Sequence, residues 1–243
     1  MRKNLLFVTL LNILFLLFFI FGEALSSPIS GVLHYLAFIV PIFLGLLFLG
    51  STSKERGLKL GIDKAGLLMS LPFVLPTVGA VFLISAITSL LFSLFGLSDT
   101  PPDLSGNIMT VLLVNAVLPA VLEEFLFRYI PINLLSDGSR KVAVLFSAGM
   151  FALVHCNIFQ LPYAFIAGVI FALLDVGFGS VLPSIMLHLV NNAVSVFWLR
   201  FGTDGAVAFV AALFAVSVLS LVPIFIMRKK YKIFFTERYN GAG

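Results

Sequence analysis

Charge is scarce in this sequence of 243 residues: only 11% are Asp, Glu, Lys or Arg, whereas 60% are hydrophobic and the mean hydropathy is +1.15. A soluble domain of ordinary composition carries about a quarter charged residues, which cover its surface. Here the charged residues are too few to do so, and much of the apolar surface must face lipid. The composition therefore excludes a soluble globular domain and predicts an all-α, polytopic membrane helical bundle.

Several chemical signatures are also missing. Cysteine occurs once, at Cys156, which excludes an intramolecular disulfide and a cysteine-rich metal site. No glycine is followed by the Lys-Ser/Thr signature of a phosphate-binding loop, and the HExxH motif of zinc peptidases is absent from the sequence. The net charge of +4 is small and lies mostly in loops and tails, which indicates membrane topology rather than nucleic-acid binding.

Eight stretches are apolar enough to cross a bilayer, for which roughly 20 residues are needed. They cover about residues 4–22, 31–50, 67–95, 107–135, 141–157, 160–176, 180–199 and 204–227. Residues 1–106 are expected to hold the first three spans, residues 107–200 a helical core, and residues 201–243 the last span with a basic tail. Basic loops alternate with loops that lack basic residues, so the positive-inside rule predicts a multi-pass cell-membrane protein with both termini in the cytoplasm.

Three ionisable residues lie within six positions of the fourth predicted span, in residues 121–130 (VLEEFLFRYI). Each costs roughly 2.5–3.5 kcal/mol near the bilayer centre, so their side chains are expected to point into the bundle. Glu124 and Arg128 are four residues apart with the acid first, which favours an ion pair between them. Glu123 is rotated about 100° from Glu124 and has no cation nearby in the sequence, so its carboxylate suits general acid–base catalysis.

Two later spans carry polar residues that can meet Glu123. His155 lies near the far end of the fifth span, and His188 and Asn192 are four residues apart on one face of the seventh. The helical rise places Glu123, His155 and His188 roughly 18, 21 and 12 Å from the cytoplasmic ends of their spans. We therefore expect these three side chains to lie at a similar depth in the bilayer.

Other polar or small residues fit structural roles. His34 has no acidic or amide companion in its own span and is interpreted as a packing residue. Asp175 is expected at a helix end near a cytoplasmic loop, and Gly168 is expected to permit close approach of two helices. Cys156 adjoins His155, but neighbours on a helix point about 100° apart, which does not favour a Cys–His nucleophile pair.

The chain resembles the CPBP family in four motifs that occur in the expected order: Glu123-Glu124-x-x-x-Arg128, Phe151-x-x-x-His155, Phe165-x-x-Gly168 and His188-x-x-x-Asn192. That family contains the type II CAAX prenyl endopeptidases and the bacterial Abi proteins, which act in bacteriocin processing or immunity. The resemblance covers about residues 107–200, less than half of the chain. It implies an intramembrane endopeptidase that acts on a membrane-associated peptide or a prenylated protein.

The resemblance also implies a role for each residue of the site. It assigns three roles to six residues: water activation by Glu123 and His155, support of that arrangement by Glu124 and Arg128, and hydrogen bonding to the reaction's oxyanion by His188 and Asn192. No cofactor is expected. A metal-dependent form of the same protease is the alternative, since two histidines and a glutamate are zinc ligands elsewhere, although Asn192 and Arg128 are poor neighbours for a cation.

The expected partners are the substrate and membrane lipids, with no nucleic acid, and the site is expected to open toward the cytoplasm. The substrate stays open among three candidates: a CAAX-like prenylated protein, a double-glycine bacteriocin leader and a signalling peptide. Two other functions stay open. The first is a non-catalytic scaffold, immunity or regulatory protein that keeps the polar motif for packing. The second is a small transporter in which the buried charges relay protons.

Overall fold

The computed structural model describes residues 2–25, 29–51, 57–98, 102, 104–201 and 206–233. Within these ranges the chain forms the helices α1 (Arg2–Ala24), α2 (Ile29–Ser51), α3 (Lys64–Ser93), α4 (Ile108–Leu135), α5 (Arg140–Leu153), α6 (Leu161–Phe178), α7 (Leu182–Phe201), α8 (Ala206–Leu219) and α9 (Leu221–Ile226). An isolated β-bridge pairs Lys59 with Ser180. The prediction of an all-α membrane bundle is confirmed.

Six helices in the described ranges are long and apolar enough to cross a membrane: α1 to α4, α6 and α7. Helix α5 has 14 residues. At a rise of 1.5 Å per residue such a helix is about 21 Å long, shorter than a hydrocarbon core of about 30 Å. The last predicted span is divided between α8 and α9, and part of it lies outside the described residues. The chain is a multi-pass membrane protein, whereas the count of eight spans stays a prediction.

Capping residues fix several helix ends near the core. Asn107 begins α4 by accepting a hydrogen bond from Met109 N at 2.8 Å, and Ser139 begins α5 by accepting one from Val142 N at 3.4 Å. Both side chains supply an acceptor for a backbone N–H that has no partner inside the helix. Gly179 ends α6 with a φ of 65°, a left-handed conformation that glycine adopts without a Cβ clash.

Prolines explain why α4 is not a regular α-helix. It contains two wider π-helical segments, Leu113–Val117 and Phe125–Tyr129, and each ends two residues before a proline, Pro119 or Pro131. Proline has no N–H to donate to the carbonyl four residues earlier, which frees that carbonyl and widens the helix locally. The carbonyl freed by Pro131 is that of Phe127, and the Ser147 hydroxyl of α5 donates to it.

Four helices enclose the polar residues. Helix α4 packs against α5 and α7, and α6 packs against both α5 and α7, so these four helices surround one interior. Helices α1 and α2 cover α4 on one side, through a core that includes Phe15, Phe127 and Phe151. Helix α3 covers α6 and α7 on the other side. Large apolar side chains such as Phe43 and Leu90 are exposed on the outer faces, where lipid is their expected neighbour.

His34 packs against a neighbouring helix, as expected, but it also has an acidic companion outside its own span. Its Nε2 lies 3.1 Å from Glu23 Oε1, and its ring packs edge-on against Phe19. The companion comes from a different helix, because α1 and α2 are antiparallel neighbours and the end of α1 meets the start of α2. Spacing within a single span does not reveal such a pair.

Candidate functional site

Glu124 and Arg128 form the ion pair predicted from their spacing. Arg128 Nε lies 3.3 Å from Glu124 Oε2, and both side chains are completely buried. The guanidinium carbon lies 3.8 Å from the centre of the Phe151 ring and 5.7 Å from that of Phe171. The charge is therefore held between a carboxylate and two aromatic faces, each of which attracts a cation in a dehydrated setting.

His188 of α7 lies between the two glutamates. Its Nδ1 is 2.7 Å from Glu124 Oε1, and its Nε2 is 3.9 Å from Glu123 Oε2. A carboxylate paired with arginine only accepts hydrogen bonds, so Nδ1 carries the proton and donates to Glu124. This bond fixes the ring orientation and aims Nε2 at Glu123.

Glu123 differs from its neighbour in both exposure and partners. Its side chain is 17% exposed, whereas that of Glu124 is fully buried. In the described part of the chain, Glu123 Oε2 is buried without a hydrogen-bond partner. One carboxylate therefore contacts Arg128 and His188 closely, and the other is partly exposed at the edge of the same cluster.

His155 lies in the turn just after α5, because that helix ends at Leu153 rather than continuing to residue 157 as predicted. Its Nδ1 is 2.6 Å from the carbonyl oxygen of Phe151. A carbonyl only accepts, so Nδ1 donates the hydrogen bond and Nε2 keeps its lone pair in the neutral ring. The half-buried imidazole thus has a basic nitrogen left for other work.

The Phe151 ring is the shared contact of the cluster. It packs edge-on against His155, with ring centres 4.9 Å apart, and edge-on against His188 at 5.6 Å. Its face also carries the guanidinium of Arg128. One side chain from α5 therefore holds groups from α4, α7 and the turn after α5 around one point. This contact explains why Phe151 and His155 occur together in one motif: the phenylalanine ring packs against the histidine.

The described hydrogen bond of the Asn192 side chain is to its neighbour Asn191 and not to another predicted site residue. Its Oδ1 accepts a hydrogen bond from Asn191 Nδ2 at 3.3 Å, and both side chains are half-buried. Among the described hydrogen bonds, none joins either amide to the two glutamates. The Nδ2 amide nitrogen of Asn192 is a hydrogen-bond donor, as a group that binds an oxyanion must be.

Asp175 was missed as a member of the site. It lies near the end of α6, as expected, but its side chain is completely buried rather than at the cytoplasmic loop. Its Oδ1 accepts a hydrogen bond from Ser184 N at 3.0 Å, and it is close enough to Arg128 for an electrostatic interaction. The signal was present in the sequence, since Gly168, Phe171 and Asp175 follow the i, i+3, i+7 spacing of one helix face.

Gly168 permits the close approach predicted for it. A Cβ at this position would lie 3.0 Å from Ala148 Cα and 3.3 Å from Arg128 Nη2. A backbone atom cannot move aside as a flexible side chain can, so α5 and α6 approach this closely only because residue 168 has no side chain. Their contact in turn positions the aromatic faces around Arg128.

We expect Gly168→Ala to lower the free energy of unfolding by about 1–2 kcal/mol, because a methyl group forced into a packed contact outweighs the helix preference of alanine. Gly149→Ala is the matched control, since no atom lies within 4 Å of the Cβ position there. That change should instead stabilise by about 0.5–1 kcal/mol. Thermal unfolding of both variants in detergent checks the pair, and equal effects of the same sign would contradict the packing role of Gly168.

The His, Cys, Asp and Glu side chains of the described residues are poorly arranged to bind a metal ion. In the ranges that the structure describes, no group of three or more His, Cys, Asp and Glu side chains is arranged to hold one. Glu124 is paired with Arg128, whose fixed positive charge disfavours a second cation beside it. The residues present therefore fit a metal poorly.

Comparison with protein-family models matches residues 104–194 to the type II CAAX prenyl endopeptidase Rce1-like family. The matched segment is less than half of the chain but contains all six residues predicted for the site. The resemblance inferred from the four motifs is thereby confirmed. No curated protein and no solved structure matches the chain.

Proposed function

We propose that the chain hydrolyses a peptide bond of a membrane-associated peptide or protein. The reason is that residues 104–194 match the type II CAAX prenyl endopeptidase Rce1-like family, whose members are intramembrane proteases. Glu123 and His155 activate the attacking water. The observation that supports this assignment is the difference between the two adjacent glutamates. Glu124 is fully buried and lies 3.3 Å from Arg128 and 2.7 Å from His188, whereas Glu123 is 17% exposed and lies 3.9 Å from His188.

In the reaction, the Glu123 carboxylate takes a proton from water while the water oxygen bonds to the scissile carbonyl carbon. His155 Nε2 accepts the second hydrogen of that water and orients it. The carbonyl oxygen becomes an oxyanion. Collapse of this tetrahedral intermediate breaks the C–N bond, and the protonated Glu123 returns its proton to the leaving amine. The products are a carboxylic acid and an amine.

His188 and Asn192 stabilise the oxyanion. Both residues lie on α7 and carry a nitrogen that can donate a hydrogen bond, and loss of one such donor typically costs ~10²–10³-fold in rate. For His188 this role requires a proton on Nε2 as well as on the Nδ1 that donates to Glu124. Glu124 and Arg128 act through His188, because they fix the orientation of its ring.

A metal-dependent version of the same protease is distinguished by chelation. We expect cleavage by the purified protein to be unchanged after treatment with a strong zinc chelator, because the proposed steps use side chains and water alone. Loss of cleavage on chelation, with recovery on addition of zinc, would establish the metal-dependent reaction instead.

A non-catalytic scaffold is the second candidate, and the complete burial of Glu124 and Arg128 favours it, since such pairs also lock helix packing. The two functions differ in their products. Mass spectrometry of membrane-fraction peptides should find new cleavage ends in cells that express the wild type and none in cells that express Glu123→Gln. The same ends would also identify the substrate. If both samples gave identical peptides while the two proteins were present in equal amounts, the scaffold function would be supported.

A further inference from the structure

Asp175 is a buried carboxylate that the proposed reaction does not use. Its side chain is completely buried near the end of α6. An ionisable side chain inside a membrane bundle is costly and is kept where its contacts offset that cost. The contacts of Asp175 therefore indicate its role.

These contacts lie at the junction of two helices. Asp175 Oδ1 accepts a hydrogen bond at 3.0 Å from the backbone N–H of Ser184, in the first turn of α7. The backbone carbonyl of Asp175 accepts one at 3.1 Å from Ser180 N, in the turn that follows α6. The N–H groups of the first turn of a helix have no acceptor within that helix, and the helix dipole favours a carboxylate beside them. Asp175 thus caps α7 from α6.

The turn between α6 and α7 is also held from the segment before α3. Lys59 N donates to Gly179 O at 3.0 Å, and Lys59 O accepts from Val181 N at 3.1 Å. Ser180 and Ser184 are completely buried. The position of the first turn of α7 is therefore set by these backbone hydrogen bonds on one side and by the Asp175 carboxylate on another.

The first turn of α7 is connected directly to the site. Ser184 and His188 are four residues apart and lie on one face of the helix, separated by about 6 Å of helical rise. The Ser184 side chain lies beside the Glu124 carboxylate. One turn later, His188 Nδ1 lies 2.7 Å from Glu124 Oε1. A displacement of the first turn would consequently move His188 relative to Glu124.

The orientation of His188 leaves little tolerance for such a displacement. A hydrogen bond weakens steeply when its donor turns away from the acceptor. The same rotation of the ring would move Nε2, which lies 3.9 Å from Glu123 Oε2 and is assigned to the oxyanion in the proposed reaction. Misplacement of a reacting or supporting group by about 1 Å can cost ~10²-fold in rate.

We propose that Asp175 is a positioning residue for the reaction. Through the N–H of Ser184 it holds the first turn of α7, and thereby the orientation of His188 toward the two glutamates. The role requires a hydrogen-bond acceptor at the position of Oδ1 rather than a negative charge, so asparagine at this position fulfils it. The effect of Asp175 on cleavage rests on the proposed peptidase function, whereas its effect on the orientation of His188 does not.

Nuclear magnetic resonance measures the orientation of His188 without proteolysis. The chain has three histidines. In protein labelled with ¹⁵N-histidine and held in lipid nanodiscs, the signal of residue 188 is identified by its loss in His188→Gln. Asp175→Ala and Asp175→Leu remove the acceptor and should shift the Nδ1–H signal of His188. Asp175→Asn should leave that signal at the wild-type position, because its amide oxygen accepts the same N–H.

The leucine variant separates the lost hydrogen bond from lost packing. Leucine fills the volume that alanine leaves empty, so a shift seen in both variants is not the result of a cavity. An apolar residue in place of a buried charge is also compatible with a stable fold. Asp137→Ala, at an exposed acid in the turn between α4 and α5, is the matched control and should keep the wild-type signal.

Cleavage kinetics of the same preparations complete the test. Asp175→Ala and Asp175→Leu should lower kcat about 10²-fold and change KM by less than about 3-fold, because the orientation of a catalytic group is lost and not the binding of the substrate. Asp175→Asn should retain most of the wild-type kcat, and Asp137→Ala all of it.

Two results would overturn the proposal. The first is a His188 signal that stays at the wild-type position in both Asp175→Ala and Asp175→Leu. The second is a signal displaced equally in Asp175→Asn and Asp175→Leu, since the charge and not the hydrogen bond would then be required. The expected signals without any cleavage by the wild type would support the positioning role and count against the peptidase function alone.

Discussion

Glu123→Gln is expected to slow peptide cleavage by about 10²–10⁴-fold, because glutamine cannot take the proton from the attacking water. The amide has nearly the same shape, and Glu123 Oε2 makes no hydrogen bond in the described structure. The melting temperature should therefore stay close to that of the wild type. Cleavage rates in proteoliposomes and thermal unfolding of the same preparation check both halves of this prediction.

Glu23→Gln is the control for this change. It is the same substitution at an exposed acid whose described partner is His34, far from the cluster in the sequence and on a different helix. Its cleavage rate should equal that of the wild type. His155→Gln should behave like Glu123→Gln, because it removes the basic nitrogen while leaving an amide. If Glu123→Gln cleaved at the wild-type rate, the assignment of the base would be wrong.

Arg128→Met is expected to lower the free energy of unfolding by about 3–5 kcal/mol, the usual cost of leaving one charge of a buried pair without its partner. Glu124 is completely buried, and its Oε2 faces the guanidinium at 3.3 Å. Methionine fills much of the volume but supplies no charge. Chemical unfolding in a fixed detergent, followed by circular dichroism, measures the loss.

The double variant Arg128→Met/Glu124→Met separates charge from packing. Removing both charges leaves no uncompensated carboxylate, so the double variant should be more stable than Arg128→Met alone. Cleavage should nevertheless be lost in it, because His188 no longer has the acceptor that orients its ring. A double variant less stable than the single one would show that the volume of the arginine, and not its charge, stabilises this region.

The burial of the charged side chains could be predicted from the sequence. Exposing a charge to lipid costs so much free energy that the charged side chains must point into the bundle. An acid and an arginine four residues apart in an apolar helix must pair, and the pair is present at Glu124 and Arg128. The prediction that His188 comes near Glu123 rested on helical rise alone, and the structure places the two side chains 3.9 Å apart. The family resemblance followed from the same residues in their order along the chain.

Features that depend on contacts between distant segments were not predictable in this way. The end of α5 at Leu153, which moves His155 into a turn, is not signalled by glycine or proline at that point. The segment before α3 is joined to α4 by hydrogen bonds between Leu58 and Asn133, residues 75 positions apart. Asp175 was overlooked because its neighbours along the chain suggested a helix end, while Ser184, whose N–H donates to it, lies on another helix.

The central claim is that water, activated by Glu123, attacks the peptide bond directly. Cleavage in water enriched in ¹⁸O, with hydroxylamine added as a competing nucleophile, tests this most directly. The account predicts that the new carboxyl terminus carries ¹⁸O and that no hydroxamate forms, since no acyl-enzyme is available for hydroxylamine to intercept. Hydroxamate that increases with hydroxylamine concentration would reveal a covalent intermediate and contradict the account.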